Sequence, residues 1–187
     1  MQLLKDTNEL VVNKFKEQNP KRLKHILGVV KMAKHLAKIY DIDEAKAEIA
    51  ALMHDYCKYD DINEIKKLLS NEEITECEKY PFLYHAKGSA YMYKKLFKDY
   101  DEDIFNAIYN HVFGRLNMSR LEEIIMISDY TEENREYESC IKCRDILLNN
   151  SIEEAIVYSL EKTLEHHNDA HPTQLDIIKE YKERINN

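Results

Sequence analysis

The segment Glu44–Tyr56, EAKAEIAALMHDY, decides the fold. Ala, Leu, Met, Glu and Lys are strong helix formers, and no Gly or Pro interrupts the run. Asp41 or Asp43 stands where a side-chain carboxylate accepts from the first free N–H groups of a helix. Ala45, Ala47, Ala50 and Ala51 carry so little side chain that neighbouring helices can approach closely. The segment is therefore predicted to be a buried, central helix that ends in His54-Asp55. An unpartnered His-Asp pair in such an interior is costly, because desolvation opposes the carboxylate charge. Buried aspartates usually have a cation.

Upstream, a helix is expected from Lys21 to Tyr40, with Leu23, Leu27, Val30, Ala33 and Ala37 at spacings of three and four. An earlier helix covers Leu3 to Gln18 and stops before Pro20. Downstream, the charged stretch Asp60–Lys79 holds one or two short helices and is closed by Pro81. Helices over His85–Phe97 and Asp101–Asn110 follow. Ser119 with Glu122 forms a capping box for a helix through Asp129, and Ser151 with Glu154 one for a helix through Glu165. A last helix follows Pro172. With no repeat, linker or low-complexity stretch, the expectation is an all-α fold without a sheet, one domain over residues 1–187.

Composition agrees. The 187 residues include only 3 Gly and 3 Pro, too little punctuation for many short strands and tight turns. A chain of this length buries well over half of its unfolded surface, so it needs no metal merely to fold. The N-terminal MQLLKDTNELVV carries charges inside its apolar stretch, unlike a signal peptide, and no window approaches ~18 uninterrupted apolar residues. A cytoplasmic protein without a membrane partner is expected, with its 4 Cys reduced. Cys140 and Cys143 form a CxxC without a second pair, and read as two small residues one helical turn apart. A net charge of −8 argues against nucleic-acid binding, which needs Lys and Arg to neutralise phosphates. A small polyanion held by metal ions and local cations is compatible with it. The sequence leaves a homodimer open.

Lys58 lies four residues after His54 and three after Asp55, beside both on a helix. Arg22 and His25, three apart, share a face of their own helix. His85 and His111 fall near expected helix boundaries, and Asp129 follows the apolar run Ile124-Ile125-Met126-Ile127. Four imidazoles and two carboxylates suit Fe, Mn, Zn or Ni, and not Ca or Mg. Any one of these histidines alone reads as a surface or hydrogen-bonded residue, and so do His35 and His166-His167. Asp129 alone reads equally as a helix-terminal carboxylate. The combination carries the signal.

In its order H…HD…H…H…D the chain resembles the HD superfamily of metal-dependent phosphohydrolases. More closely, RLKHILGVVKMAKHLA, AALMHDYCK and HVFGRLNMSRLEEIIMISDYTEENR are similar to the YqeK family, bacterial enzymes that cleave dinucleoside tetraphosphates symmetrically. The resemblance runs from about Lys21 to His171-Pro172. It implies a dinuclear centre, first of all of iron, with Mn, Co, Ni or Zn as substitutes. His25, His54, Asp55 and Asp129 would hold one metal; His85 and His111, with Asp55 bridging, would hold the other. Asp55 and Lys58 would be catalytic. Arg22, Lys58, Arg115 and Arg135 would meet the nucleotide phosphates, and His171 would stand at the pocket rim. The implied partner is a dinucleoside polyphosphate, released as ADP or GDP. Two metals acidify a shared water, so no separate general base is required. The chain departs from the family at Val112, where Thr is common, and at Glu133, in a stretch that usually has Pro. Both departures concern the pocket's shape.

Rival readings keep part of this picture. A nucleotidase, cyclic-nucleotide phosphodiesterase or guanosine-polyphosphate hydrolase shares the centre and differs in products. A non-catalytic nucleotide sensor would more commonly lack ligands, whereas every one is present here. A di-iron oxygenase would consume oxygen, and nothing in the sequence favours it.

Overall fold

In the computed structural model, which describes residues 2–166 and 171–186, helices follow one another without a strand among those residues. They are α1 (Gln2–Phe15), α2 (Pro20–Ile39), α3 (Glu44–Met53), α4 (Ile62–Lys66), α5 (Asn71–Lys79), α6 (Leu83–Leu96), α7 (Glu102–Asn110), α8 (Arg120–Thr131), α9 (Glu138–Asn149), α10 (Ile152–His166) and α11 (Pro172–Ile185). None is long and apolar enough to cross a membrane among the described residues.

The alanine-rich helix α3 is central, as its composition requires. Ala47, Ala50 and Ala51 are fully buried, and α3 packs against α1, α2, α6, α7 and α8. Asp43, rather than Asp41, caps it, accepting from the backbone N–H groups of Ala45 and Lys46. The helix stops at Met53, three residues earlier than the sequence suggests. His54 turns its ring Nδ1 onto the carbonyl of Ala51 at 2.7 Å, and the Cys57 N–H leaves the helical pattern for the Ser89 hydroxyl at 2.9 Å. His54-Asp55 thus sits just beyond the helix end.

Other boundaries follow local chemistry. α1 ends at Phe15 instead of Gln18, and Asn19 caps α2 with Pro20 in its first turn, where the missing N–H costs nothing. Ser119 and Glu122 form the expected reciprocal box at α8. At α10 the Ser151 hydroxyl accepts from Glu154 N–H, whereas the Glu154 carboxylate takes the Asn150 amide. Helix α9 has no counterpart in the sequence reading; it buries Cys140, Cys143 and Leu147 beneath α8 and α10. Burial pushes the Cys143 thiol up to about 12, so this CxxC is packing and not redox chemistry. His167 lies outside the described residues.

Candidate metal centre

Five elements deliver six side chains to one place. His25 comes from the second turn of α2, His54 and Asp55 from the turn after α3, and His85 from the start of α6. His111 comes from the residue after α7, and Asp129 from the last turn of α8. His54, Asp55, His85 and His111 are buried. Helix ends serve because a side chain there escapes the i to i+4 stacking of a helix interior and can aim along the axis.

Asp55 organises the group. Its Oδ2 lies 3.7 Å from His25 Nε2 and 3.4 Å from His54 Nε2. Its Oδ1 lies 3.1 Å from His85 Nε2 and 4.0 Å from His111 Nε2. The two sets His25-His54-Asp55 and Asp55-His85-His111 each bring their donor atoms close enough for one ion. Asp129 Oδ1 joins the first set, 3.0 Å from His25 Nε2 and 3.9 Å from His54 Nε2.

The imidazoles are oriented from behind. His54 and His111 each donate Nδ1–H to a backbone carbonyl, of Ala51 and Ile108, at 2.7 Å. Nε2 is then the bare lone pair, turned inward. His25 Nε2, His54 Nε2 and Asp55 Oδ1 are buried without a hydrogen bond. Orphaned acceptors converging on one point are what a cation satisfies. The donor set therefore fits a divalent metal centre.

Electrostatics favour the ligating forms of both carboxylates and of His85 and His111, whereas His54 is shifted towards its protonated form. Burial opposes the charge on Asp55, but His54, His85 and Lys58 outweigh it and hold the carboxyl well below the usual range. Burial likewise opposes the charge on Asp129, where Arg135, His25 and His54 prevail. Burial, reinforced by His54 and His85, lowers His111 to about 3, and burial also lowers His85 despite Asp55. Both rings are neutral near pH 7, as metal ligands must be. For metal-stripped protein the sign follows. Between pH 6.5 and about 3 the unfolded chain binds a proton at His111 that the folded chain refuses. Stability is expected to fall on acidification through that window by about 1.4 kcal/mol per pH unit for that proton. The His54 contribution runs oppositely: raised by Asp55 against burial, it is present below pH 6.5 and lost as pH rises through the folded value. Urea unfolding at a series of pH values checks this, and a flat response from 6.5 to 4 would refute a neutral His111.

Cations stand over the carboxylates. Arg22 Nη1 donates to Asp55 Oδ2 at 2.5 Å and Arg135 Nη2 to Asp129 Oδ1 at 2.6 Å. Lys58 Nζ lies 3.5 Å from Asp55 Oδ1 and 3.1 Å from His85 Nε2. A cavity of about 300 Å³ opens beside His85, His111 and Asp129, walled by Lys58, Arg135 and the aromatic residues Tyr80 and Phe113. Val112 lines it; Glu133 instead pairs with Lys31 at the surface.

Two residues expected at the substrate, Arg115 and His171, are not among those that line this cavity. Arg115 grips buried Glu122 with Nε and Nη2, both at 2.7 Å, and lines no wall of this cavity. The capping glutamate of α8 outcompetes the pocket because it is close in sequence and already desolvated. Arg115→Ala is expected to lower stability by about 1–2 kcal/mol, the loss of charged hydrogen bonds to a buried carboxylate. An unchanged urea midpoint would free Arg115 for a pocket role. His171 stands next to the wall residues: it stacks on Phe113 with centroids 5.1 Å apart, meets Tyr80 at 4.7 Å and pairs with Glu76 at 3.2 Å. It packs against the aromatic wall.

Two positioning residues went unnoticed in the sequence. Buried Glu132 sets Oε1 3.2 Å from His25 Nδ1, completing a carboxylate–histidine pair behind the centre. Arg144, on α9, donates to the carbonyls of Thr131, Glu132 and Arg135 and clamps the turn that carries them. A Glu three residues after Asp129 was a visible signal for the first. Nothing local marks Arg144.

Several known proteins resemble this chain. The HD domain family matches residues 22–134. A protein of Halalkalibacterium halodurans named "Bis(5'-nucleosyl)-tetraphosphatase, symmetrical" is 38% identical over 146 residues, 76% of this chain and 77% of its own. A Bacillus subtilis protein of the same name is 34% identical over 75% of this chain and 76% of its own. A crystal structure from Clostridium acetobutylicum, described as a "predicted HD superfamily hydrolase involved in NAD metabolism", superposes with a TM-score of 0.82 at 31% identity. It covers 96% of this chain and 97% of that one. On the strength of the matched motifs, the shared fold and the converging His and Asp side chains, the chain belongs to the HD domain family.

Proposed function

We propose that this protein hydrolyses dinucleoside tetraphosphates symmetrically: diadenosine tetraphosphate and water give two ADP. The observation that carries the reading is Asp55, whose two oxygens each serve a separate pair of histidines. That is the arrangement of a carboxylate shared by two ions. His25, His54, Asp55 and Asp129 would hold one, and Asp55, His85 and His111 the other, with iron the first candidate and Mn, Co, Ni or Zn alternatives. The names of the relatives from H. halodurans and B. subtilis supply the substrate. Residues 1–187 are read as one catalytic domain.

Bound there, two ions supply Lewis acidity toward phosphoryl oxygens and lower the pKa of a coordinated water towards about 7. The chain supplies the rest. Lys58 and Arg135, both lining the cavity, neutralise charge that grows on the phosphoryl oxygens as the anhydride breaks. His54 and His111, locked by backbone carbonyls, keep the donor atoms aimed without reorganisation. ADP leaves readily, so positioning and electrostatics suffice for the central anhydride.

The test is hydrolysis of diadenosine tetraphosphate by metal-analysed protein, with nucleotides separated. ADP alone, at about two metals per chain, supports the reading. AMP together with ATP would show asymmetrical cleavage, and no cleavage by the metal-loaded protein would remove this substrate.

A further inference from the structure

A second opening reaches the same cluster at His25. It is a groove of about 760 Å³ whose walls include Lys21, Arg22, Lys24, Tyr59, Arg135 and Tyr137. His25 lines it, whereas His85 and His111 line the smaller cavity. Arg135 borders both spaces, and Asp129, its partner at 2.6 Å, borders the smaller one. The ligand cluster therefore stands between two chambers.

The groove has the chemistry of a nucleotide seat. On a chain of net charge −8, four cations line this one groove. Two carboxylates, Glu132 and Glu136, stand against these four cations, and Glu132 is already engaged by His25 and by the Asn134 backbone N–H at 2.7 Å. Tyr59 and Tyr137 are 59% and 72% exposed, an unusual state for rings of that size beside a buried site. The Arg22 guanidinium lies 5.7 Å from the Tyr59 ring centre and donates to its hydroxyl at 3.4 Å, linking the aromatic face to the Asp55 carboxylate. Exposed rings interleaved with cations bind a base by stacking and its phosphates by charge.

A substrate with a nucleoside at each end of a phosphate chain needs room on both sides of the bond that breaks. We infer that the groove beside His25 seats one nucleoside diphosphate half of the substrate, with its base on Tyr59 and Tyr137, while the aromatic cavity beside His85 seats the other. The inference rests on the proposed hydrolysis of dinucleoside tetraphosphates. The two halves are then bound by different walls, and cleavage leaves one ADP in each chamber.

ADP binding to the metal-loaded, full-length protein, measured by calorimetry, is the test, run beside Ap4A kinetics. Wild-type protein is expected to take two ADP per chain. The Tyr59→Ala/Tyr137→Ala protein is expected to take one, and its KM for diadenosine tetraphosphate to rise about tenfold or more. Both rings are exposed, so circular dichroism should match wild type. A wild-type protein that releases ADP from diadenosine tetraphosphate yet binds a single ADP overturns the inference and leaves the proposed activity standing. So does a double variant with wild-type stoichiometry and KM. A wild-type protein that yields no ADP overturns the activity itself, and the second seat with it.

Discussion

Asp55→Ala is expected to abolish metal binding and turnover together, with the rate down about 10³-fold or more. The carboxylate lies within 3.1–4.0 Å of all four histidine Nε2 atoms, so its removal takes a ligand from both candidate positions at once. Several kcal/mol of Lewis-acid stabilisation vanish with the ions, and each 1.4 kcal/mol is tenfold in rate. The variant also leaves Arg22 without its partner at 2.5 Å, in a site where burial opposes the guanidinium charge. Metal analysis and turnover must therefore fall in step. An Asp55→Ala protein with full metal content, or with wild-type turnover, would refute the shared-ligand geometry.

Glu132→Gln should act one layer further out and separate metal affinity from fold. Glutamine keeps the shape but removes the charge that supports His25 from 3.2 Å, and loss of such an outer partner typically costs about 10–100-fold in metal affinity. Gly28 gives an independent approach to the same contact. A Cβ there would overlap Glu132 Oε2 and stand 2.8 Å from Asn134 Nδ2. Gly28→Ala must push the carboxylate away, at about 1–3 kcal/mol for overpacking. Both variants are expected to lose metal to a competing chelator before wild type does, with Glu132→Gln keeping the wild-type circular dichroism. Equal chelator competition in all three proteins would reduce Glu132 to a turn-forming residue.

The centre and the helical scaffold constrain each other. His54, His111 and Asp129 lie within a few residues of the ends of α3, α7 and α8, and α3 packs against both other helices. Alanines on α3 set how closely those ends approach. Enlarging Ala50 or Ala51 would therefore be felt as displacement of ligands as well as lost packing.

Much was legible in the residues themselves. Helix periodicity, the alanine run, the Ser119-Glu122 box and Pro at the start of α11 are local signals, and local hydrogen bonding obeys them. The HD doublet with its ordered His and Asp partners marked the family, because residue type and order survive where distances are unknown. Helix α9 escaped because its apolar positions are broken by Lys142, Arg144 and Asp145, and its burial comes from α8 and α10. Tertiary structure alone decided which charges were free. Arg115 and Arg135 are both arginines on short connections, yet Arg115 meets buried Glu122 and Arg135 meets Asp129 at the centre. The sequence named the cations and carboxylates; only folding, by setting distances and removing water, chose the pairs and left the inward-facing nitrogens of His25 and His54 beside carboxylates without a hydrogen bond.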